Sequence, residues 1–151
     1  MLTIGSAAPS FSLPDADTGE VVDDPWQGGP VVLAFFKTTC PVCVMAAPKV
    51  QALADAGVRV VAVGEDPPDK LARYAEQHGQ GVTTLSEPAP YEVSSAFDLT
   101  TVPSLFLVEA DGTVRDAVES WDRESWNRFA VLAGGAPVSE PDDGLPSFKP
   151  G

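Results

Sequence analysis

The stretch Phe35-Phe36-Lys37-Thr38-Thr39-Cys40-Pro41-Val42-Cys43 constrains this chain most, because it holds both cysteines, separated by two residues. The run before it, Val31-Val32-Leu33-Ala34-Phe35-Phe36, is apolar and rich in β-branched and aromatic side chains, and reads as a buried strand. The run after it, Val44 to Ala54, has the spacing of a helix that ends near Ala56-Gly57, with Gly57 just past its end. The two cysteines therefore fall at a strand-to-helix switch, on the first turn of a helix.

That placement has chemical consequences. The first N–H groups of a helix have no intrahelical partner and sit at the positive end of the macrodipole. A thiolate at Cys40 can accept from them. Pro41 has no N–H to lose and a φ suited to the first turn. Cys43 lies one turn further in, where burial disfavours a thiolate. One activated sulfur and one sheltered, protonated sulfur make a dithiol that can attack a disulfide and then resolve the intermediate.

Three plainer readings compete. A zinc site needs about four ligands, and beyond the pair the chain offers only His78 as a further His or Cys. Inert core cysteines fit poorly with Cys-Pro-x-Cys at such a turn. A purely structural disulfide closing so short a loop would add little.

The formal net charge is −13, with no Lys/Arg cluster, which argues against nucleic acid and against an anionic membrane surface. No apolar run approaches the length of a membrane span. The N-terminal residues Met1-Leu2-Thr3-Ile4-Gly5 carry no basic region followed by an apolar one, so a cytoplasmic location is expected. Disulfides there are rare and usually catalytic. At 151 residues the chain fits one domain with a real core.

The remaining elements follow in order. Ala7 to Pro14, a turn at Asp15–Glu20 and Val21-Val22 suggest a small N-terminal hairpin, and Trp26 a packing residue. Residues 58–63 read as a second buried strand, giving a β-α-β unit with the first. Asp66 is placed to cap a helix that begins at Pro67-Pro68 and runs to His78, stopped by Gly79; His78 suits that helix's C-terminus. Thr83-Thr84-Leu85 reads as a short strand and Pro90 to Asp98 as a short helix. Leu105 to Val108 and Thr113 to Val118 read as a hairpin with Asp111-Gly112 as a two-residue turn. Asp122 to Ala133 reads as an amphipathic helix, with Trp126, Phe129 and Leu132 facing the sheet. Residues 136–151, rich in Pro, Gly, Asp and Ser, read as a disordered or loosely packed tail.

This order resembles the thioredoxin fold, and within it the TlpA-like and redoxin thiol-disulfide oxidoreductases, which are related to the AhpC/TSA peroxiredoxins. Four stretches carry the resemblance: Gly5 to Leu13, the run from Phe35 to Cys43, Pro48 inside the helix, and Thr101-Val102-Pro103-Ser104 before a strand. The resemblance implies an α/β thioredoxin-like domain over residues 1–135, with a central mixed sheet flanked by helices and an N-terminal hairpin extension. It implies a cis Val102-Pro103 bond beside the cysteines. The backbone of Val102 would then be presented to an extended substrate segment, with Pro41, Val42 and Pro103 completing the surface. The chain departs from thioredoxins at Ala34, where a buried aspartate is usual, at Thr39, where an aromatic residue is usual, and at Ala46, where some relatives carry an acid. The proton acceptor for Cys43 is then open among Glu65, Asp66 and water.

The expected function is thiol-disulfide exchange on a disulfide-containing protein substrate. Cys40 attacks, Cys43 resolves, and an upstream thiol reductase restores the pair. No cofactor beyond the redox-active Cys40–Cys43 disulfide and no metal is expected, and a monomer is the simplest assembly. The uncharged Pro41-Val42 dipeptide points to a reducing or intermediate potential. The main alternative is a peroxiredoxin-like thiol peroxidase, with the pattern Pro-x-x-x-Thr-x-x-Cys and an arginine. With Cys43 as its cysteine, Phe36 replaces the proline, Cys40 the threonine, and Val102-Pro103 stands where the arginine is expected. A non-enzymatic binding module on the same scaffold is the third reading.

Overall fold

The computed structural model describes residues 1–151. Its chain begins with an antiparallel hairpin of β1 (Ser12–Pro14) and β2 (Val21–Asp23), joined by the turn at Asp15 to Glu20. A single 3-10 turn at Pro25–Gly28 buries Trp26 against Phe11, edge to face, with ring centroids 5.8 Å apart. Then come β3 (Val31–Phe36), α1 (Pro41–Asp55), β4 (Val60–Gly64), α2 (Pro68–His78), β5 (Thr83–Ser86) and α3 (Glu92–Ala96). The chain closes with β6 (Ser104–Val108), β7 (Val114–Glu119), β8 (Trp121–Asp122), α4 (Arg123–Leu132) and β9 (Phe148–Lys149).

The main sheet has the order β5-β4-β3-β6-β7. Strands β3, β4 and β5 are parallel, and β6 and β7 run antiparallel. This is the mixed sheet of a thioredoxin-like α/β fold. All six residues of β3 are buried, because both faces of the sheet are covered. Val32, Ala34 and Phe36 lie in the core formed with α1, α2 and α4. Val31, Leu33 and Phe35 pack instead with Leu13, Trp26 and Phe97 on the other face. Each fully buried Val, Leu or Phe here stabilises by about 1.5–3 kcal/mol relative to exposure. Gly64, paired with Phe36, leaves room for the Leu71 side chain: a Cβ there would overlap a Leu71 methyl carbon and press on the Phe36 ring.

Four local expectations are corrected. The turn between β6 and β7 is not a two-residue turn centred on Asp111-Gly112. Gly112 N–H donates to Glu109 C=O at 2.8 Å, and Gly112 takes the left-handed conformation that follows a type I turn in a longer hairpin loop. Leu132 is exposed, because the apolar stripe of α4 is Trp126, Phe129 and Ala130; residue 132 has rotated off it. Asp66 does not cap α2: Pro67 holds that position without a side-chain bond, and the Asp66 carboxylate accepts from the N–H of Thr38 at 2.8 Å.

The fourth correction concerns residues 136–151, which are packed back on the body. Asn127 on α4 accepts from the N–H groups of Val138 and Ser139 at 2.8 and 3.0 Å and donates to the Ser139 carbonyl at 2.9 Å. Asp143 pairs with Lys49 of α1 at 2.9 Å and with Arg123 of α4 at 3.4 Å. Trp121 Nε1–H donates to Pro146 C=O at 2.7 Å, and β9 pairs with β8. A polar composition suggested no core, but specific polar partners on two helices supply the attachment.

The Ser139 hydroxyl and then Lys49 hold the Asp143 carboxyl well below the usual carboxylate range. A depressed carboxyl stabilises at pH values above its unfolded pKa of about 3.9, and the contribution is lost as pH falls through the folded value. Asp143→Ala should therefore raise amide hydrogen exchange at Val138, Ser139 and Leu145 several-fold at neutral pH, with the main sheet unchanged. The same segment of the unmodified protein should loosen as acid is added, and unaltered exchange in Asp143→Ala would remove the clasp from this account.

Candidate active site

The central strand delivers the chain to the N-terminus of α1 through Lys37-Thr38-Thr39, and the Thr38 to Asp66 hydrogen bond ties this turn to the end of β4. Asp66 is itself buried, and its carbonyl accepts from the Ser86 hydroxyl at 2.7 Å, so the tether is anchored across β4 and β5. Cys40 is the N-cap residue of α1, extended at φ −86° and ψ 115°, and Pro41 begins the helix. The helix continues through Pro48, which has no N–H for the Val44 carbonyl one turn back.

At this junction the Cys40 sulfur accepts the N–H of Cys43 at 3.2 Å, in the way an N-cap serine or aspartate oxygen would. The Cys40 thiol also lies 3.5 Å from the Val102 carbonyl oxygen, to which it donates. Both cysteines are free thiols; Cys40 is half-buried and Cys43 only 2% exposed. Burial pushes the Cys43 thiol strongly up, and its hydrogen bond with Cys40 pushes it further; the nearby Glu65 carboxylate adds a smaller rise. At neutral pH Cys43 is held protonated.

Of the residues singled out in the sequence, Cys40, Cys43, Pro41, Val102 and Pro103 come together. The Val102-Pro103 bond is cis, as is Ala89-Pro90. Pro41 is exposed, Val102 half-buried and Pro103 buried. Val42 differs: at 6% exposure it points into the core with Ala46 and Ala47, leaving Pro41 as the outward residue of the dipeptide. His78 lies at the C-terminal end of α2, with its ring 4.9 Å from that of Tyr74. No group of three His, Cys, Asp or Glu side chains converges to ligate a metal.

Two features near the dithiol were not foreseen. Tyr74 of α2 is 3% exposed, its ring 4.8 Å from Phe36, and its hydroxyl has no hydrogen-bond partner. Burial raises the Tyr74 phenol, with smaller contributions from the charges of Cys43 and Cys40. Lys37 places its ammonium 5.6 Å from the centre of the Tyr91 ring, beside the turn that leads to Cys40; Tyr91 lies in a segment that reads only as a short helix.

The AhpC/TSA family matches residues 4–117. The peroxiredoxin Bcp of Escherichia coli K12 is 31% identical over 137 residues, covering 80% of this chain and 87% of that protein. The crystal structure of peroxidoxin BcpB from Mycobacterium tuberculosis superposes with a TM-score of 0.70 at 27% identity, covering 88% of this chain and 96% of that one. The thioredoxin domain of a thiol-disulfide oxidoreductase from Bacteroides vulgatus has the same fold, with a TM-score of 0.73 at 18% identity, covering 88% and 99% of the two chains. With most of its length matched by the family and its fold shared with these structures, this chain belongs to the AhpC/TSA family and is a thioredoxin-like oxidoreductase.

Proposed function

We propose that the Cys40–Cys43 dithiol reduces or exchanges disulfides in protein substrates. The observation that carries this reading is the opposite setting of the two sulfurs. Cys40 caps a helix at the surface of the fold, and Cys43 is buried and protonated one turn inside. In the forward direction the Cys40 thiolate attacks one sulfur of the substrate disulfide. The S–S bond breaks, a mixed disulfide forms on Cys40, and the first substrate thiol leaves. Cys43 then loses its proton and attacks the Cys40 sulfur, releasing the second substrate thiol and leaving a Cys40–Cys43 disulfide. Two electrons pass to the substrate, and an upstream dithiol reductase of the cytoplasm returns them.

The carbonyl of half-buried Val102 and the exposed Pro41 border the attacking sulfur, and they suit an extended substrate segment laid across the site. Asp66 is committed to Thr38, which leaves Glu65, whose charge is felt at that thiol, and water as acceptors for the Cys43 proton. The resolving step then works without the buried acid that Ala34 replaces.

The similarity to Bcp supports a second reading, a thiol peroxidase. In the peroxiredoxin pattern Pro-x-x-x-Thr-x-x-Cys, Cys43 would be the attacking residue. Its 2% exposure and raised pKa oppose a peroxidatic thiolate, and Phe36 and Cys40 stand where the peroxide site needs proline and threonine.

Two measurements separate these readings. Cys43→Ser retains the attack step and loses the resolving thiol, so it should accumulate mixed disulfides with substrate proteins, visible on non-reducing gels after acid quench. Cys40→Ser should trap few; the reverse outcome would make Cys43 the nucleophile, and trapping by neither would favour the binding module. In stopped flow, the reduced protein should react with hydrogen peroxide little faster than a free thiol. Oxidation orders of magnitude faster would establish the peroxidase instead.

A further inference from the structure

The C-terminal residues approach the dithiol. From Asp143, clasped to Lys49 and Arg123, the chain turns back and runs beside residues 120–123. Arg123 N–H donates to Ser147 C=O at 2.9 Å, Asp122 pairs with Phe148, and Trp121 pairs with Lys149. Gly151 N–H then donates to the Ser120 hydroxyl at 3.0 Å, and Ser120 N–H donates to Pro103 C=O at 2.9 Å. Gly151 is thus tied through Ser120 to the loop that faces Cys40.

Its contact there is close. A Cβ built on Gly151 would stand 2.2 Å from the Val102 carbonyl oxygen and 2.4 Å from Thr101 Oγ1. The same Val102 oxygen receives the Cys40 thiol at 3.5 Å. The backbone that an extended substrate would use is therefore in contact with the protein's own chain, and only a residue without a side chain fits. The segment is attached at its base by half-buried polar partners but exposed along its end: Phe148 is 57% exposed, and both residues of β9 lie on the surface.

We propose that residues 148–151 form a strap that occupies the substrate groove beside Cys40 and must lift before an extended substrate segment can bind. The strap is an intramolecular competitor, and this inference rests on Cys40 being the attacking sulfur of the exchange reaction. A groove open for only a fraction of the time weakens apparent substrate affinity by that fraction. Small disulfides, which need no groove, escape the competition.

The test uses two probes that each release a coloured thiol on attack by Cys40: a small aromatic disulfide, and a cysteine-containing peptide carrying the same leaving group. The full chain is compared with a form ending at Ser147 and with Gly151→Leu, whose side chain cannot fit against Val102. The ratio of peptide to small-probe rate constants should rise about threefold or more in either variant, as expected for a groove open less than about a third of the time in the full chain. The small-probe rate should stay within about twofold. Unchanged ratios in both variants, with both probes still reacting, overturn the strap and leave the exchange chemistry standing. Failure of Cys40 to react with either probe in any form overturns both.

Discussion

The hydrogen bond from Cys43 N–H to the Cys40 sulfur, 3.2 Å long, is the interaction on which the site depends. It exists because a cysteine stands at the N-cap of α1, where a helix has backbone donors without partners. The helix starts there because β3 is the middle strand of the sheet, Pro41 suits the first turn, and Asp66 holds the preceding turn by Thr38. Such a terminus is worth roughly 0.3–1 kcal/mol to an exposed anion and up to about 2 kcal/mol when partly buried.

The second sulfur answers to a different force. Cys43 belongs to the same buried core as Ala34, Val42, Ala46 and Ala47, and desolvation outweighs every favourable contact it makes. One turn of helix therefore separates a sulfur that accepts a hydrogen bond at the protein surface from one kept as a thiol. In the proposed exchange reaction this division would let the dithiol attack and resolve in order, and the raised Cys43 thiol opposes direct attack on peroxide by that residue.

Much of this was legible in the sequence. Six consecutive apolar residues could only be a strand covered on both faces, and Cys-Pro-x-Cys directly after them placed the dithiol on a helix start. Asp66 was misread because an acid before two prolines has the form of a cap; its partner, Thr38, lies 28 residues away and becomes a neighbour only when β3 and β4 pair. Leu132 was misread because being apolar is not enough when the residue is turned off the buried stripe. The tail was illegible for a related reason. Its attachment uses Asn127, Arg123 and Lys49, polar residues that carry no periodic signal and act through single specific bonds. Gly151 against Val102 is likewise a tertiary coincidence that no local pattern announces.

The central claim is that Cys40 and Cys43 differ in reactivity because of where the helix puts them. Residue-resolved alkylation with iodoacetamide, read by mass spectrometry between about pH 6 and 9, tests it most directly. Cys40 should be modified ahead of Cys43 wherever alkylation is seen in this range, with Cys43 remaining unmodified in the folded protein. Modification of Cys43 ahead of Cys40 at neutral pH would contradict it.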